Sequence, residues 1–333
     1  MREQRPQGVN SLCEQFPEIS VEELMRQLQP PPEFSKARFE NYKPDQRFPA
    51  QAGALAAAKQ FVTPVRGKLF SKTEPAPGVY LDGGFGVGKT HLLAAIWHEF
   101  SGKKAFGSFL EFTSIVGYLG FTEAIKRFRD YGLICIDEFE LDDPGDTMIM
   151  SRFLKELTGE GVRFAATSNT PPNALGQGRF AAEDFKREIA GIGERFLILS
   201  VDGEDYRHRD IEAHSRNLDE RELLDWLSIQ SDPYLDKFSE LLGHLAKLHP
   251  TKFRKLLSDV GALAISDVFE LHDQVAALRL VVFVDRLYEQ QIPIRTSGDI
   301  AATEVFSKDM LGGGYRKKYL RAVSRIGALS ELY

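Results

Sequence analysis

Two spacings of apolar residues alternate along the middle of the chain. Segments with apolar residues at every third or fourth position separate five short apolar runs: VYLD, KAFGSFLEFT, LICIDEFE, RFAATSN and RFLILSV. Short apolar runs are typical of buried strands and the longer spacing is typical of helices. Strands and helices in regular alternation form a parallel sheet, so we predict five parallel strands with helices on both faces.

The two ends of the chain differ from this middle part. Residues 1–48 contain one short amphipathic pattern, SVEELMRQLQ, and an aromatic-rich stretch, and an alanine-rich helix begins near Pro49. From about residue 206 the sequence is highly charged and then mainly helical, with weak strand candidates. We therefore expect an N-terminal arm at 1–48, an α/β core at 49–205 and a mainly helical, lid-like region at 206–333.

A glycine-rich loop, GGFGVGKT, joins the first predicted strand to a helix. It satisfies the phosphate-loop pattern G-x-x-x-x-G-K-[ST], and the strand and helix around it are the context that the pattern requires. Glycines allow the backbone to approach phosphate oxygens closely, and the helix start adds unpaired N–H groups. We predict a P-loop NTPase that binds ATP through Gly83, Gly84, Phe85, Gly86, Val87, Gly88, Lys89, Thr90 and His91.

Side chains that suit ATP hydrolysis follow the later strands. Lys89 is expected to reach the β- and γ-phosphates, and Thr90 and Asp137 are expected to hold Mg²⁺. Glu138, directly after Asp137, can orient and deprotonate the attacking water. Asn169 ends the next strand, where an amide can bond the γ-phosphate or that water. The further acidic residues Glu140, Asp142 and Asp143 are interpreted as solvated turn and helix-start residues.

Three arginines follow Asn169 and precede the fifth strand: Arg179, Arg187 and Arg195. An arginine here can reach the γ-phosphate of a neighbouring subunit, and we favour Arg187, with Arg195 second. Upstream of the loop, Phe39, Tyr42 and Gln51 either form an adenine pocket or anchor the arm on the core.

Composition limits the location and the partners. The chain has 333 residues, 43% hydrophobic and 27% charged, with a net charge of −6 and two cysteines. No stable nucleic-acid complex is expected from this charge. The cysteine usage favours a reducing compartment, and neither an apolar signal core nor an apolar span is present. We expect a cytoplasmic protein whose association with membranes is peripheral at most.

Taken together, GGFGVGKTHLLAA, LICIDEFELDDPGDT, AATSNTPP and VDGEDYRHR resemble the ZapE family of AAA+ ATPases. The likeness extends over nearly the whole chain. It implies an AAA+ core with Walker A and Walker B motifs, a C-terminal helical region, and an oligomer with nucleotide between subunits. It also implies that ATP hydrolysis supports bacterial cell division by acting on tubulin-like septal filaments.

The resemblance fails at one position. The family's finger region usually reads R-F-x-P-x-I, whereas DFKREI has Asp184 in place of the arginine, so the choice of Arg187 rests on spacing alone. Arg279 and Arg325 match family arginines, and either can sense nucleotide from the helical region.

Two other functions compete with a remodelling ATPase. A helicase-loader-like replication factor also suits THLLAAI and TSN, although the net charge counts weakly against it. An adaptor that binds ATP and scarcely hydrolyses it is the third possibility, but such a module has no need of a base at Glu138.

Overall fold

The structure is a computed structural model that describes residues 6–63, 78–84, 86–141, 144–171, 175, 186–203 and 216–332. The chain divides into two compact units. One is Glu22–Arg209, called the core unit below, and the other combines Met1–Val21 with Asp210–Tyr333, called the C-terminal unit. The first 21 residues of the expected arm therefore belong with the C-terminal region rather than with the core.

The core unit contains a five-stranded parallel sheet, which confirms the predicted fold class. The strands stand in the order β2-β3-β4-β1-β5, and every pair of neighbours is parallel. Because all the strands run the same way, their carboxyl ends share one edge of the sheet. The strands are β1 (Gly78–Asp82), β2 (Lys104–Ser108), β3 (Leu133–Asp137), β4 (Arg163–Ser168) and β5 (Phe196–Ser200).

Helices cover both faces of this sheet. On one face, Val79 and Leu81 pack in one apolar cluster with residues of α2 and α3, including the fully buried Leu92. On the other face, the ring of Tyr80 packs edge-on against that of Phe139 within an aromatic layer. The α-helices in this part of the chain are α1 (Val21–Arg26), α2 (Pro49–Val62), α3 (Lys89–Glu99), α4 (Phe109–Leu119), α5 (Phe121–Phe128), α6 (Pro144–Gly159) and α7 (Lys186–Gly193).

The run KAFGSFLEFT, predicted as one strand, changes from strand to helix in its middle. The backbone N–H of Glu111 donates to Oγ of Ser108 at 3.2 Å, and Oε2 of Glu111 accepts from the N–H of Ser108 at 2.8 Å. This reciprocal capping box starts α4 at Phe109. Gly120, with φ 78°, then separates α4 from α5, so the predicted helix SIVGYLGFTEAIKRFRD is two helices.

The C-terminal unit is mainly helical, as predicted, and it also contains a three-stranded parallel sheet, β6-β7-β8. The strands are β6 (Pro233–Lys237), β7 (Ala262–Val268) and β8 (Ile294–Gly298). Its α-helices are α8 (Glu220–Ser228), α9 (Phe238–Lys247), α10 (Phe253–Leu256), α11 (Gln274–Glu289), α12 (Lys308–Gly312) and α13 (Arg316–Glu331). None of the helices in the described ranges has the length and apolar character needed to cross a membrane.

The N-terminal segment is tied to this second sheet. Asn10 forms a parallel bridge with Tyr234 of β6. The buried carboxylate of Asp236 accepts hydrogen bonds from Oγ of Ser11 and, at 2.8 Å, from the backbone N–H of Leu12. A buried carboxylate that receives several donors is well compensated, which explains why an acidic residue occupies this strand.

Candidate active site

The backbone of the phosphate loop requires glycine at several positions. Gly86 and Gly88 have φ values of 68° and 91°, in the left-handed region that glycine adopts without strain. A Cβ on Gly83 would lie 2.2 Å from the carbonyl oxygen of Val201, and one on Gly88 would lie 2.9 Å from the ring of Tyr42. The loop is therefore closely packed both at its start and where it turns into α3. Phe85, predicted to bind nucleotide, lies outside the described residues.

Lys89 connects this loop to the end of β4. It is the first residue of α3 and is 7% exposed. Its Nζ donates to the carbonyl oxygens of Gly83, at 2.9 Å, and Gly84, and to Oδ1 of Asn169 at 2.9 Å. Two predicted site residues that are far apart in sequence, Lys89 and Asn169, are thus in direct contact.

Thr90 and Asp137 meet at the same edge of the sheet. Oγ1 of Thr90 donates to Oδ1 of Asp137 at 3.2 Å, and Oγ1 of Thr167 donates to that same oxygen. Burial, together with the neighbouring charge of Glu138, raises the pKa of Asp137 to about 6. A hydroxyl oxygen beside a carboxylate is a pair of oxygen ligands that suits Mg²⁺. This ion usually binds one or two carboxylates and completes its coordination shell with water and phosphate oxygens.

Glu138 follows Asp137 with a left-handed backbone, φ 53°. A residue other than glycine in this region costs on the order of 1 kcal/mol and is held there by its surroundings. Two hydrogen bonds donated to Thr167 of β4 provide this support. The N–H of Glu138 donates to Oγ1 of Thr167 at 3.0 Å, and the N–H of Phe139 donates to the backbone carbonyl of Thr167 at 2.7 Å. Thr167 therefore holds both acidic residues of the candidate site, Asp137 and Glu138, in place.

Glu140 is not the solvated turn residue that the sequence suggested. Its Oε1 accepts from Oγ of Ser168 at 3.1 Å and from the N–H of Asn169 at 3.2 Å. Its Oε2 accepts from Oγ1 of Thr170 at 3.1 Å. The side chain is thus bound to the end of β4. Asp142 and Asp143 lie outside the described residues.

The segment before α2 packs on the phosphate loop. Gln51 is 3% exposed, and its amide accepts from the N–H of Asp45 at 2.8 Å and donates to the carbonyl of Asp202 at 2.7 Å. Nε2 of His91 lies 2.8 Å from Oδ1 of Asn41. His91, which was predicted to bind nucleotide, therefore contacts the segment upstream of α2. The buried Tyr42 belongs to the same apolar cluster as α3. These contacts favour the anchoring role over a specific adenine pocket.

The arginines have different surroundings. Arg187 is exposed on α7 and Arg195 is half-buried before β5, whereas Arg179 lies outside the described residues. Arg325 forms an ion pair with the partly buried Asp285 of α11. Arg279, half-buried on α11, makes no ion pair with another residue of the described ranges.

Comparison with known proteins identifies relatives along most of the chain. A profile of the AFG1-like ATPase family matches residues 19–221 and 228–332. Cell division protein ZapE of Escherichia coli (strain K12) is 28% identical over 315 residues, which are 80% of this chain and 83% of that protein. Lactation elevated protein 1 homolog B of Danio rerio is 28% identical over 174 residues, 44% of this chain and 34% of that protein.

A solved structure of DnaI matches 53% of this chain and 93% of its own, with 21% identity and a TM-score of 0.43. Domain III of the Thermotoga maritima replication initiation protein DnaA matches 76% of this chain and 97% of its own, with 17% identity and a TM-score of 0.39.

Proposed function

This chain belongs to the AFG1-like ATPase family, and from that premise we propose that it hydrolyses ATP with Mg²⁺ at the phosphate loop and uses the energy to remodel a protein partner in bacterial cell division. Membership of the family confirms the resemblance to ZapE proteins and makes the chain an ATPase. We propose the residue roles, the metal and the partner that follow.

One observation supports the proposed ATP hydrolysis. Lys89 contacts Asn169 at 2.9 Å and Thr90 contacts Asp137 at 3.2 Å, so the phosphate loop, β3 and β4 converge at one edge of the sheet. Lys89 and the N–H groups at the start of α3 bind phosphate oxygens. Thr90 and Asp137 would hold Mg²⁺, and the bound ion would neutralise charge on the phosphates. Glu138 accepts the proton of the attacking water, and Asn169 orients that water or the γ-phosphate.

The biological part rests on the Escherichia coli relative, which is named a cell division protein and aligns over 80% of this chain. We propose that the client is the tubulin-like filament of the division septum and that the protein assembles into an oligomer with nucleotide between subunits. An exposed arginine on α7, Arg187, then serves as the finger that reaches a neighbouring site. With a net charge of −6, no stable nucleic-acid complex is proposed.

Sedimentation of the purified chain with polymerised septal filaments tests the client. The Glu138→Gln variant with ATP should sediment with the filaments more than the same variant with ADP, because it holds the ATP state. The Lys89→Ala variant should show no dependence on nucleotide. Equal sedimentation of Glu138→Gln with and without ATP would reject the filament client. Binding of single- or double-stranded DNA with a steep salt dependence would instead support the helicase-loader-like alternative.

A further inference from the structure

A third acidic residue, Glu140, also contacts the end of β4. Its two carboxylate oxygens accept three hydrogen bonds, from the hydroxyls of Ser168 and Thr170 and from the backbone N–H of Asn169, at 3.1, 3.1 and 3.2 Å. An ionised carboxylate only accepts hydrogen bonds, and its several lone pairs suit three donors at once. Glu140 thus binds the three residues with which β4 ends and turns.

Asn169 is held from two sides by this arrangement. Glu140 accepts from its backbone N–H, and Nζ of Lys89 donates to its side-chain Oδ1 at 2.9 Å. A side-chain amide points accurately only if its own backbone is fixed, because each rotation about its bonds is amplified at the amide. The Glu140 contact therefore determines where the Asn169 amide lies relative to the phosphate loop.

We propose that Glu140 is a positioning residue for ATP hydrolysis: it fixes the turn after β4 so that Asn169 stays aligned with the reacting phosphate. The inference rests on the proposed function, since it requires that Asn169 act in hydrolysis. It adds a residue two positions beyond the general base, so the segment 137–140 supplies the metal ligand, the base and the support for Asn169.

The turn after β4 has a second support besides Glu140. This support allows an effect on the position of Asn169 to be distinguished from an effect on folding. Oη of Tyr80 donates to the carbonyl of Thr170 at 2.8 Å from within the core. Oγ of Ser168 also accepts from the N–H of Thr170 at 3.0 Å. Removal of Glu140 therefore leaves the turn tethered, and the fold should survive. The Tyr80→Phe variant removes the other tether and keeps the Glu140 carboxylate, so it is the matched control.

A double-mutant cycle between Glu140 and Asn169 tests the inference. Glu140→Ala should lower kcat for ATP hydrolysis by about ten- to hundredfold while KM for ATP stays within about twofold, since only alignment is lost. Glu140→Gln, which keeps one acceptor oxygen, should retain an intermediate kcat. In the Asn169→Ala background, Glu140→Ala should cause little further loss of kcat. Tyr80→Phe should leave kcat near the parental value.

Three results would overturn the inference. The first is an equal loss of kcat from Glu140→Ala in both backgrounds, and the second is an equal loss from Tyr80→Phe. The third is a parental kcat for Asn169→Ala, which would also remove Asn169 from the proposed mechanism. If Asn169→Ala lowers kcat and Glu140→Ala does not, the inference fails while the proposed function stands.

Discussion

The ammonium of Lys89 lies among oxygens of its own loop and of Asn169. Phosphate oxygens carry more negative charge than carbonyl oxygens, so they should take over these contacts when ATP binds. Lys89→Ala should therefore weaken binding of a fluorescent ATP analogue by about a hundredfold or more.

Lys104 provides the matched control for this substitution. Its Nζ also donates to two backbone carbonyls, those of His98 at 3.1 Å and Phe100 at 2.8 Å, but it lies at the start of β2, away from the carboxyl edge. Lys104→Ala should leave the affinity for the analogue unchanged. Equal losses from the two substitutions would show that a general loss of packing, rather than a phosphate contact, weakens binding.

Asp137 should make the metal-free protein less stable at neutral pH than at mildly acidic pH. Its folded pKa of about 6 lies above the reference value of 3.8, so the folded state binds the proton more tightly than the unfolded state. The associated stability is present below pH 3.8 and is lost as the pH rises through about 6. A shift of this size corresponds to up to about 3 kcal/mol.

The Asp137→Asn variant keeps the shape and removes the charge. In EDTA at pH 7.5 it should melt at a higher temperature than the parent, and this advantage should shrink at pH 5. The same variant should lose the stabilisation that Mg²⁺ and ATP give the parent. A lower melting temperature for Asp137→Asn at pH 7.5 in EDTA would show that the charged carboxylate stabilises the fold.

At the scale of residues, the sequence was informative where function needs a fixed spacing. The loop pattern and the acidic pair at the end of β3 predicted Lys89, Thr90 and Asp137 as site residues, and the structure brings them to one edge of the sheet. The contacts of Glu140 were missed because its partners lie 28 to 30 positions further along the chain. In an acidic run, a carboxylate bound to the next strand has the same sequence pattern as a solvated one.

At the scale of elements, the strands with continuous apolar runs were the predictable ones. β3 and β4 are buried along most of their length and match their predicted positions closely. The boundary between β2 and α4 was missed because Phe109 and Phe112 continue the apolar pattern of the strand. The Ser108 and Glu111 capping box was the available signal for a helix start.

The strands of the C-terminal unit show why the second sheet was not predicted. β6, with the sequence PYLDK, begins with proline and contains Asp236, which is buried by its bonds to the N-terminal segment. A sequence pattern treats such an aspartate as exposed, because the compensating donors lie more than 200 positions away. Only the fold shows that this short run is a strand.

The pairing of α11 with α13 separates the two candidate sensor arginines. Asp285 of α11 is enclosed between Arg321 and Arg325 of α13. Burial alone would raise the pKa of Asp285, but these two guanidinium groups hold it below its usual value. Arg325 is therefore part of the internal packing of the unit, and Arg279 is the better candidate for sensing nucleotide.

Alanine substitutions distinguish the two roles. Arg325→Ala should lower the free energy of unfolding by about 1–3 kcal/mol, because Asp285 keeps one of its two partners. Arg279→Ala should leave the melting temperature near that of the parent and should lower the ATPase rate. A large fall in melting temperature for Arg279→Ala, with no fall for Arg325→Ala, would reverse the assignment.

At the scale of the whole molecule, assembly should control the ATPase rate. A finger arginine supplied by a neighbouring subunit makes the rate per mole depend on protein concentration. A mixture of Arg187→Ala and Lys89→Ala subunits should recover part of the activity that each lacks alone, since some interfaces then combine an intact loop with an intact finger. Arg195→Ala in place of Arg187→Ala tests the second candidate in the same assay. A rate per mole that stays constant on dilution through the micromolar range would exclude an interfacial finger.

The Glu138→Gln variant shows whether the carboxyl edge of the core sheet hydrolyses ATP with Glu138 as the base. The amide keeps the size of the side chain and cannot take the proton of the attacking water. Binding of the ATP analogue and release of phosphate should be measured on the same preparation. The expected result is analogue affinity close to that of the parent with phosphate release reduced by at least about a hundredfold. Phosphate release at the parental rate would show that Glu138 is not the base.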